Sequence, residues 1–439
     1  MDFPVHVSEY LGMNTVIAMI AIIHVMISHG AAVGGGTLVA YLEYQAIKTQ
    51  NDDLDRFAQR MLRVFVIVTT TVGALTGVGI WISTTVAQPA SIGFLLRVFF
   101  WAWFVEWLVF ITEIVLLFIY YFSWKRLSEP GKANHAKLGR YYAAASFGTL
   151  VLIVGVLSAM LTPGDWLQTG SFFDATFNPT MLPSLFFRLF LATTLAGIYS
   201  LILFRIFGPA QQEGQQRIIP LLSRWLLVSA VLMIAALIWY LAKIPAAATA
   251  LLIWGVGFKS AAMFWGINLA MMLTVLLLAA YLWRKPPQQV SWLVVVVIFA
   301  SGMFFTFEME MARESARKPF VIHNYMYANG IRLQDSAIIN QKGILATARW
   351  SRVKEVTADN RLEAGREVYV MECSVCHTVD GVNARRDMKK ITAGWSRTAI
   401  DGYVANLNSF RSFMPPFFGL EKERQALTDW IYSLRGEKP

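Results

Sequence analysis

Five residues near the C-terminal end, Cys373-Ser374-Val375-Cys376-His377, use both cysteines of the chain and have the spacing that attaches a c-type haem. Two thiols two residues apart can bond the porphyrin vinyl groups, and the adjacent imidazole of His377 then faces the iron. The competing assignments are a disulfide and half of a zinc site. A two-residue gap makes a strained bridge, and no second cysteine pair exists to complete a zinc tetrahedron. About forty residues downstream, Phe413-Met414-Pro415-Pro416-Phe417 offers Met414 as the sixth ligand, held by a rigid proline turn. A methionine filling a core gap is the ordinary alternative for most of the 18 Met of the chain. A His377/Met414 iron is six-coordinate and of raised potential, suited to passing electrons rather than binding oxygen.

A second set of residues is chemically conspicuous because it lies in apolar sequence, where a charge costs several kcal/mol. His24 and His29 share one apolar segment five residues apart, about 140° from each other on a regular helix. One can ligate a haem while the other bonds a propionate or a carbonyl, and either can be a satisfied core histidine. Gly34-Gly35-Gly36 follows, small enough to admit a neighbouring helix or a porphyrin plane, or to loosen packing. Glu106 and Glu113 are seven residues apart, hence on one helix face, a carboxylate ladder able to ligate iron at one rung and carry protons at another; inter-helix hydrogen bonds are the alternative. Glu308 and Glu310 point to nearly opposite faces, whereas Glu310, Arg313, Glu314 and Arg317 fall on one stripe and can neutralise one another.

The elements that must position these residues are membrane spans. Hydrophobic residues make up 56% of the 439 residues and charged residues 15%, with mean hydropathy +0.50. Eight apolar segments of spanning length occur at about 14–43, 62–87, 93–123, 141–163, 184–208, 220–243, 259–283 and 290–312. Lys48, Arg56 and Arg60 follow the first segment, Lys125, Arg126, Lys132, Lys137 and Arg140 the third, Arg205, Arg217 and Arg224 the fifth, and Arg284 and Lys285 the seventh. These loops are expected in the cytoplasm and both termini outside. Attachment of haem c requires the same outer side for the C-terminal region. The first segment lacks a basic front end and is too long for a cleaved signal, so it is expected to stay as a span. The net charge of +10 mostly reflects the inner loops and the basic surface of the C-terminal domain and does not indicate nucleic-acid binding.

The expected architecture is therefore all-α: a polytopic bundle over residues 1–320, a linker over 321–360 and a small all-α cytochrome c domain over 361–439. In that domain, which resembles the class I cytochromes c, a helix over Gly365 to Cys373 crosses a last helix over Leu427 to Leu434, Gly365 permitting close contact.

The bundle also resembles subunit I of the cytochrome bd oxygen reductase superfamily, particularly branches that carry a c-type haem. The matching stretches are Ile23-His24-Val25-Met26-Ile27-Ser28-His29 with the triple Gly, Gly73-Ala74-Leu75-Thr76-Gly77, Val105-Glu106, Thr112-Glu113, Ser123-Trp124-Lys125-Arg126-Leu127, Asn178-Pro179 and Arg313-Glu314-Ser315-Ala316-Arg317-Lys318-Pro319-Phe320. The resemblance implies that His24 and Glu106 sit at the high-spin haem where oxygen is reduced, that Glu113 belongs to the proton path, and that Glu308 or Glu310 binds a second high-spin haem. Arg188, Arg313 or Arg317 would anchor propionates.

Two features depart from that family. Its low-spin haem takes a His shortly after the Asn-Pro pair, where the only nearby polar candidate is Arg188, which cannot ligate iron. The long hydrophilic loop of the quinol site is missing, because Lys243 to Lys259 is short and Ala-rich. The implied protein is a membrane oxidase in the bacterial inner membrane, with a periplasmic donor reducing one covalent haem c. One or two non-covalent haems, b or d, and a subunit II-like membrane partner or c-type cytochromes complete the expectation. Reduction of another small molecule such as nitric oxide, or a non-catalytic electron-transfer role, are the alternatives.

Overall fold

The computed structural model describes all residues except 1–3, 9, 210, 253–257, 288 and 436–439. Among the described residues, eight helices are long and apolar enough to cross a membrane: Met13–Thr49, Asp52–Ala87, Phe100–Phe122, Lys132–Leu161, Met181–Phe207, Gln212–Lys243, Ala261–Arg284 and Trp292–Ala316. They correspond one to one with the eight apolar segments. Several begin earlier than hydropathy indicates, because charged residues extend a helix beyond its apolar stretch. The second starts at Asp52, where the Asn51 side chain accepts from Leu54 N–H and three aspartates occupy the first turn, favourable at the positive end of the helix dipole. The fourth starts at Lys132, nine residues before the apolar run. Residues 93–98 belong instead to a separate short helix, Pro89–Val98. Of the short connection read as lacking a quinol site, residues 253–257 lie outside the described part.

Two compact units share the chain. One consists of Ile22–Gly77 and Phe99–Arg313; the other of the described residues of Met1–Ala21, Val78–Val98 and Glu314–Pro439. Within the first, the fifth span is the most enclosed, with 67% of its apolar window buried. The first span passes it at backbone distance: a Cβ on Gly34 would lie 1.9 Å from the Ala192 carbonyl oxygen. The triple glycine thus serves helix packing, with Gly36 making room for the Tyr142 ring of the fourth span. Wide π-helical turns interrupt the first span at Ser28–Val33 and the second at Thr69–Gly73, and the two turns contact each other. Because His29 lies in such a turn, the regular-helix angle of about 140° from His24 does not apply to it.

In the second unit, helices Arg361–Glu372 and Glu421–Ser433 cross at Gly365, where a Cβ would meet the Ala426 carbonyl oxygen at 2.1 Å. The segment expected as a linker is folded. It forms strands Phe320–Ile322 and Met326–Tyr327 and a helix Ser336–Lys342, and its Tyr327, Ile344 and Val353 share one hydrophobic core with Val368, Leu427 and Ile431. Its physical anchor is Glu423, whose carboxylate accepts from the N–H groups of Ile344, Leu345 and Leu420 at 2.7–3.0 Å. Such short, irregular elements carry no hydropathy period, so the sequence shows only a gap between larger features.

Candidate functional site

The attachment motif sits at the end of the helix Arg361–Glu372, which closes with Cys373 N–H donating to Tyr369 O at 2.9 Å. Both cysteines are free thiols, so no bridge forms between them. Desolvation pushes the Cys373 thiol far above its ordinary value, with Glu372 and Cys376 adding to it. The His377 backbone is fixed by its own N–H donating to Cys373 O at 2.8 Å and by Tyr369 Oη donating to its carbonyl at 2.8 Å. Its Nδ1 bonds the Arg386 carbonyl at 3.1 Å, which assigns the proton to Nδ1 and leaves Nε2 as the free lone pair. Desolvation holds the imidazole at about 4, so it is neutral and able to ligate at physiological pH. Met414 is half-buried in the turn after Leu407–Phe410, its N–H donating to Arg411 O at 2.8 Å. The neighbouring strand of chain is tied back by Phe418 N–H, which donates to the buried Glu372 carboxylate at 3.2 Å.

The bundle separates its two histidines chemically. His24 Nδ1 lies 3.0 Å from Thr76 Oγ1, and the Thr76 hydroxyl donates onward to Val72 O at 2.7 Å. The hydroxyl is therefore the acceptor for His24, and Nε2 has no hydrogen-bond partner among the described residues. Gly77 stands beside the ring; a Cβ there would lie 3.2 Å from His24 Cε1. His29 is different. Its Nδ1 bonds Ser28 Oγ at 3.2 Å and its Nε2 accepts from Arg188 Nη1 at 3.3 Å. Both nitrogens are used.

Arg188 and Glu310 were each expected to serve a haem, and the fold brings them to each other. Arg188 Nη2 lies 3.1 Å from Glu310 Oε1, and Arg313 Nε donates to Glu310 Oε2 at 2.9 Å. Arg188, Glu310 and His29 are all buried. Glu308, on the same eighth span, is buried as well, but its Oε2 has no hydrogen-bond partner among the described residues. An orphaned buried carboxylate oxygen and an unengaged imidazole Nε2 are the donor types that haem iron accepts, so the bundle residues fit such a group. Arg317 pairs with Glu314 and donates from Nη1 to Val321 O at 3.3 Å.

On the third span Glu106 is half-buried and Glu113 buried. Glu113 accepts from Ser146 Oγ at 2.7 Å and Thr149 Oγ1 at 3.1 Å, both from the fourth span. Hydroxyls can reverse donor and acceptor roles, so this carboxyl can hold either protonation state.

One polar cluster escaped sequence reasoning. Lys132 Nζ lies 2.7 Å from both Glu43 Oε1 and Asp55 Oδ1, His135 Nδ1 lies 2.6 Å from Glu43 Oε1, and Tyr120 Oη donates to Glu43 Oε2 at 2.7 Å. All five side chains are buried. Lys132 and His135 read as loop residues because they precede the apolar run; the signal available was their i, i+3 spacing at the start of a helix.

Comparison with known proteins follows this division. The model of the family described as cytochrome bd terminal oxidase subunit I matches residues 14–243, more than half of the chain, and that of cytochrome c matches residues 362–435. Comparison with curated proteins found no match. Among solved structures, the bd oxidase from Geobacillus thermodenitrificans is similar in fold, with a TM-score of 0.60 at 16% identity, covering 73% of this chain and 90% of that one. The chain is a membrane haem protein that belongs to the cytochrome bd terminal oxidase subunit I family and carries a C-terminal cytochrome c domain.

Proposed function

We propose that this chain is a cytochrome c-dependent oxidase of the bd type, taking electrons at its haem c domain and reducing oxygen to water within the bundle. The observation that carries the proposal is the unequal state of the two histidines. His24 is oriented by Thr76 with Nε2 free for iron, whereas His29 is consumed by Ser28 and Arg188. A haem bound there would supply the redox centre at which a small molecule is reduced. The chain's own residues do the rest. Glu106 would share that centre with His24, Glu308 would hold a second haem through its unengaged carboxylate oxygen, and Glu113, set between the Ser146 and Thr149 hydroxyls two turns from Glu106 on the same face, would pass protons toward it.

Cys373, Cys376 and His377 would hold one haem c, with Met414 completing the iron. Haem b, haem d or both would occupy the bundle. Orientation by the positive loops puts the cytochrome domain in the periplasm of a bacterial inner membrane, where a soluble or membrane-bound cytochrome can reach it. A subunit II-like partner is proposed to cover the third span, whose Trp101, Phe104 and Trp107 are exposed. Donor preference follows from Arg188, which is tied into an ion pair where the family's low-spin haem ligand is expected. Purified complex should consume oxygen with a reduced cytochrome and show negligible turnover with quinol. Sustained quinol oxidation sensitive to quinol-site inhibitors would overturn the proposal, as would failure of the reduced membrane to bind carbon monoxide.

A further inference from the structure

The haem-attachment loop does not stand alone: the start of the first span grips it. Asn14 Nδ2 donates to Cys376 Sγ at 2.9 Å, and the Asn14 backbone N–H donates to Val375 O at 3.0 Å. The Asn14 carboxamide oxygen is held in turn by Gln88 Nε2 at 2.7 Å, so the side chain cannot rotate away without breaking two bonds. On one side Val382 N–H donates to Tyr10 O at 3.0 Å; on the other Arg386 Nη1 reaches Thr15 Oγ1 at 3.5 Å. Gly12, at φ +69°, brings the backbone against this loop; a Cβ there would lie 3.4 Å from Cys376 O. The grip therefore covers the loop from Val375 to Arg386, and its side-chain bond falls on a sulfur that would carry the macrocycle.

Sulfur is a weak acceptor, so this contact adds little stability by itself. What it adds is position. A carboxamide locked by Gln88 and directed at the attachment sulfur fixes where that edge of the haem would lie relative to residues 10–15 of the same compact unit.

We propose that residues 10–15 form a permanent dock for the haem c attachment loop, with Asn14 as a positioning residue, and that electrons leave haem c from this docked state without any swing of the cytochrome domain. The transfer would form and break no bond: haem c would pass one electron to a ferric haem of the bundle, which becomes ferrous, and the external cytochrome donor would return haem c from ferric to ferrous. The inference rests on the proposal that haem c is the electron entrance.

The test locks the dock and, separately, loosens it. Val382 N–H is bonded to Tyr10 O, which makes a Tyr10→Cys, Val382→Cys pair the cross-link to introduce, its formation checked by mass spectrometry before the kinetics are read. Haem c in the whole detergent-purified protein is reduced by a flash-generated one-electron reductant without oxygen, and its reoxidation by the bundle haem is followed optically. The locked protein should transfer within about twofold of the wild-type rate, whereas Asn14→Leu should slow transfer about tenfold or more while haem c content and potential stay unchanged. Adding the disulfide to Asn14→Leu should restore the rate, which a purely structural or conducting role for the carboxamide would not allow. Loss of transfer on locking, or a wild-type rate in Asn14→Leu, overturns the dock while leaving the entrance intact. Absence of transfer in the wild-type protein overturns the entrance and this inference with it.

Discussion

The Arg188 guanidinium donates to His29 Nε2 across 3.3 Å in the interior of the bundle, and its other nitrogen is bound to Glu310. An imidazole acceptor and a carboxylate thus share one arginine, and Arg313 closes the group from the same helix as Glu310. Two residues that sequence spacing offers as iron ligands share Arg188, His29 through a hydrogen bond and Glu310 through an ion pair. Among the described residues, His24 Nε2 and Glu308 Oε2 have no such partner.

His24→Ala should therefore remove one non-covalent haem and every spectral change caused by carbon monoxide, while His29→Ala keeps the haem count. Pyridine haemochrome spectra of the two purified variants measure this. Equal haem loss in both would mean that His29 also binds iron.

The two carboxylates of the eighth span should differ in kind. Glu308→Gln should alter the bundle haem spectrum with little loss of stability. Arg188→Ala should destabilise the bundle by about 3–5 kcal/mol, because it leaves the buried Glu310 with only Arg313 and strips His29 of its donor. Thermal unfolding in detergent, followed beside the haem spectrum, separates the two effects.

Lys132 neutralises two buried carboxylates, Glu43 and Asp55, at 2.7 Å each. Lys132→Ala should cost about 3–5 kcal/mol and lower the yield of folded protein, since both charges stay buried without their cation. Replacement of an exposed lysine such as Lys48 should change stability by less than about 0.5 kcal/mol.

Met414→His should keep haem c low-spin while lowering its potential by on the order of a hundred millivolts, because imidazole favours ferric iron more than a thioether does. An unchanged potential in a redox titration would return Met414 to the domain core.

Asp429 joins Arg361 and Arg397 at the last helix, and although desolvation opposes it, hydrogen bonds from both arginines hold its carboxyl below the ordinary value. A depressed carboxylate contributes stability above its unfolded value, and that contribution disappears as pH falls through the folded one. Asp429→Asn should lower the melting temperature of the cytochrome domain at pH 7 and reduce how much further it drops between pH 5 and pH 2. An acid limb as steep as that of the wild type would exclude this carboxylate as its source.

Much of this protein was determined by local sequence. Eight apolar stretches become eight spans because hydrocarbon accepts only backbone bonded within its own segment, and a helix does that with no distant partner. The spacing of Cys373, Cys376 and His377 and the small Gly365 are likewise local, and Gly365 does sit where two helix backbones meet. What only the tertiary structure decided is which polar residues are already spoken for. His29 meets Arg188 at a separation of 159 residues, Arg188 meets Glu310 at 122, and Lys132 closes on Glu43 and Asp55 from a stretch that reads as a loop. The linker became part of the cytochrome core through Glu423, and the wide turn at His29 altered an angle that a regular helix would have imposed. A buried charge takes its role from the partner that neutralises it, and that partner is chosen by packing between elements, which no local spacing encodes.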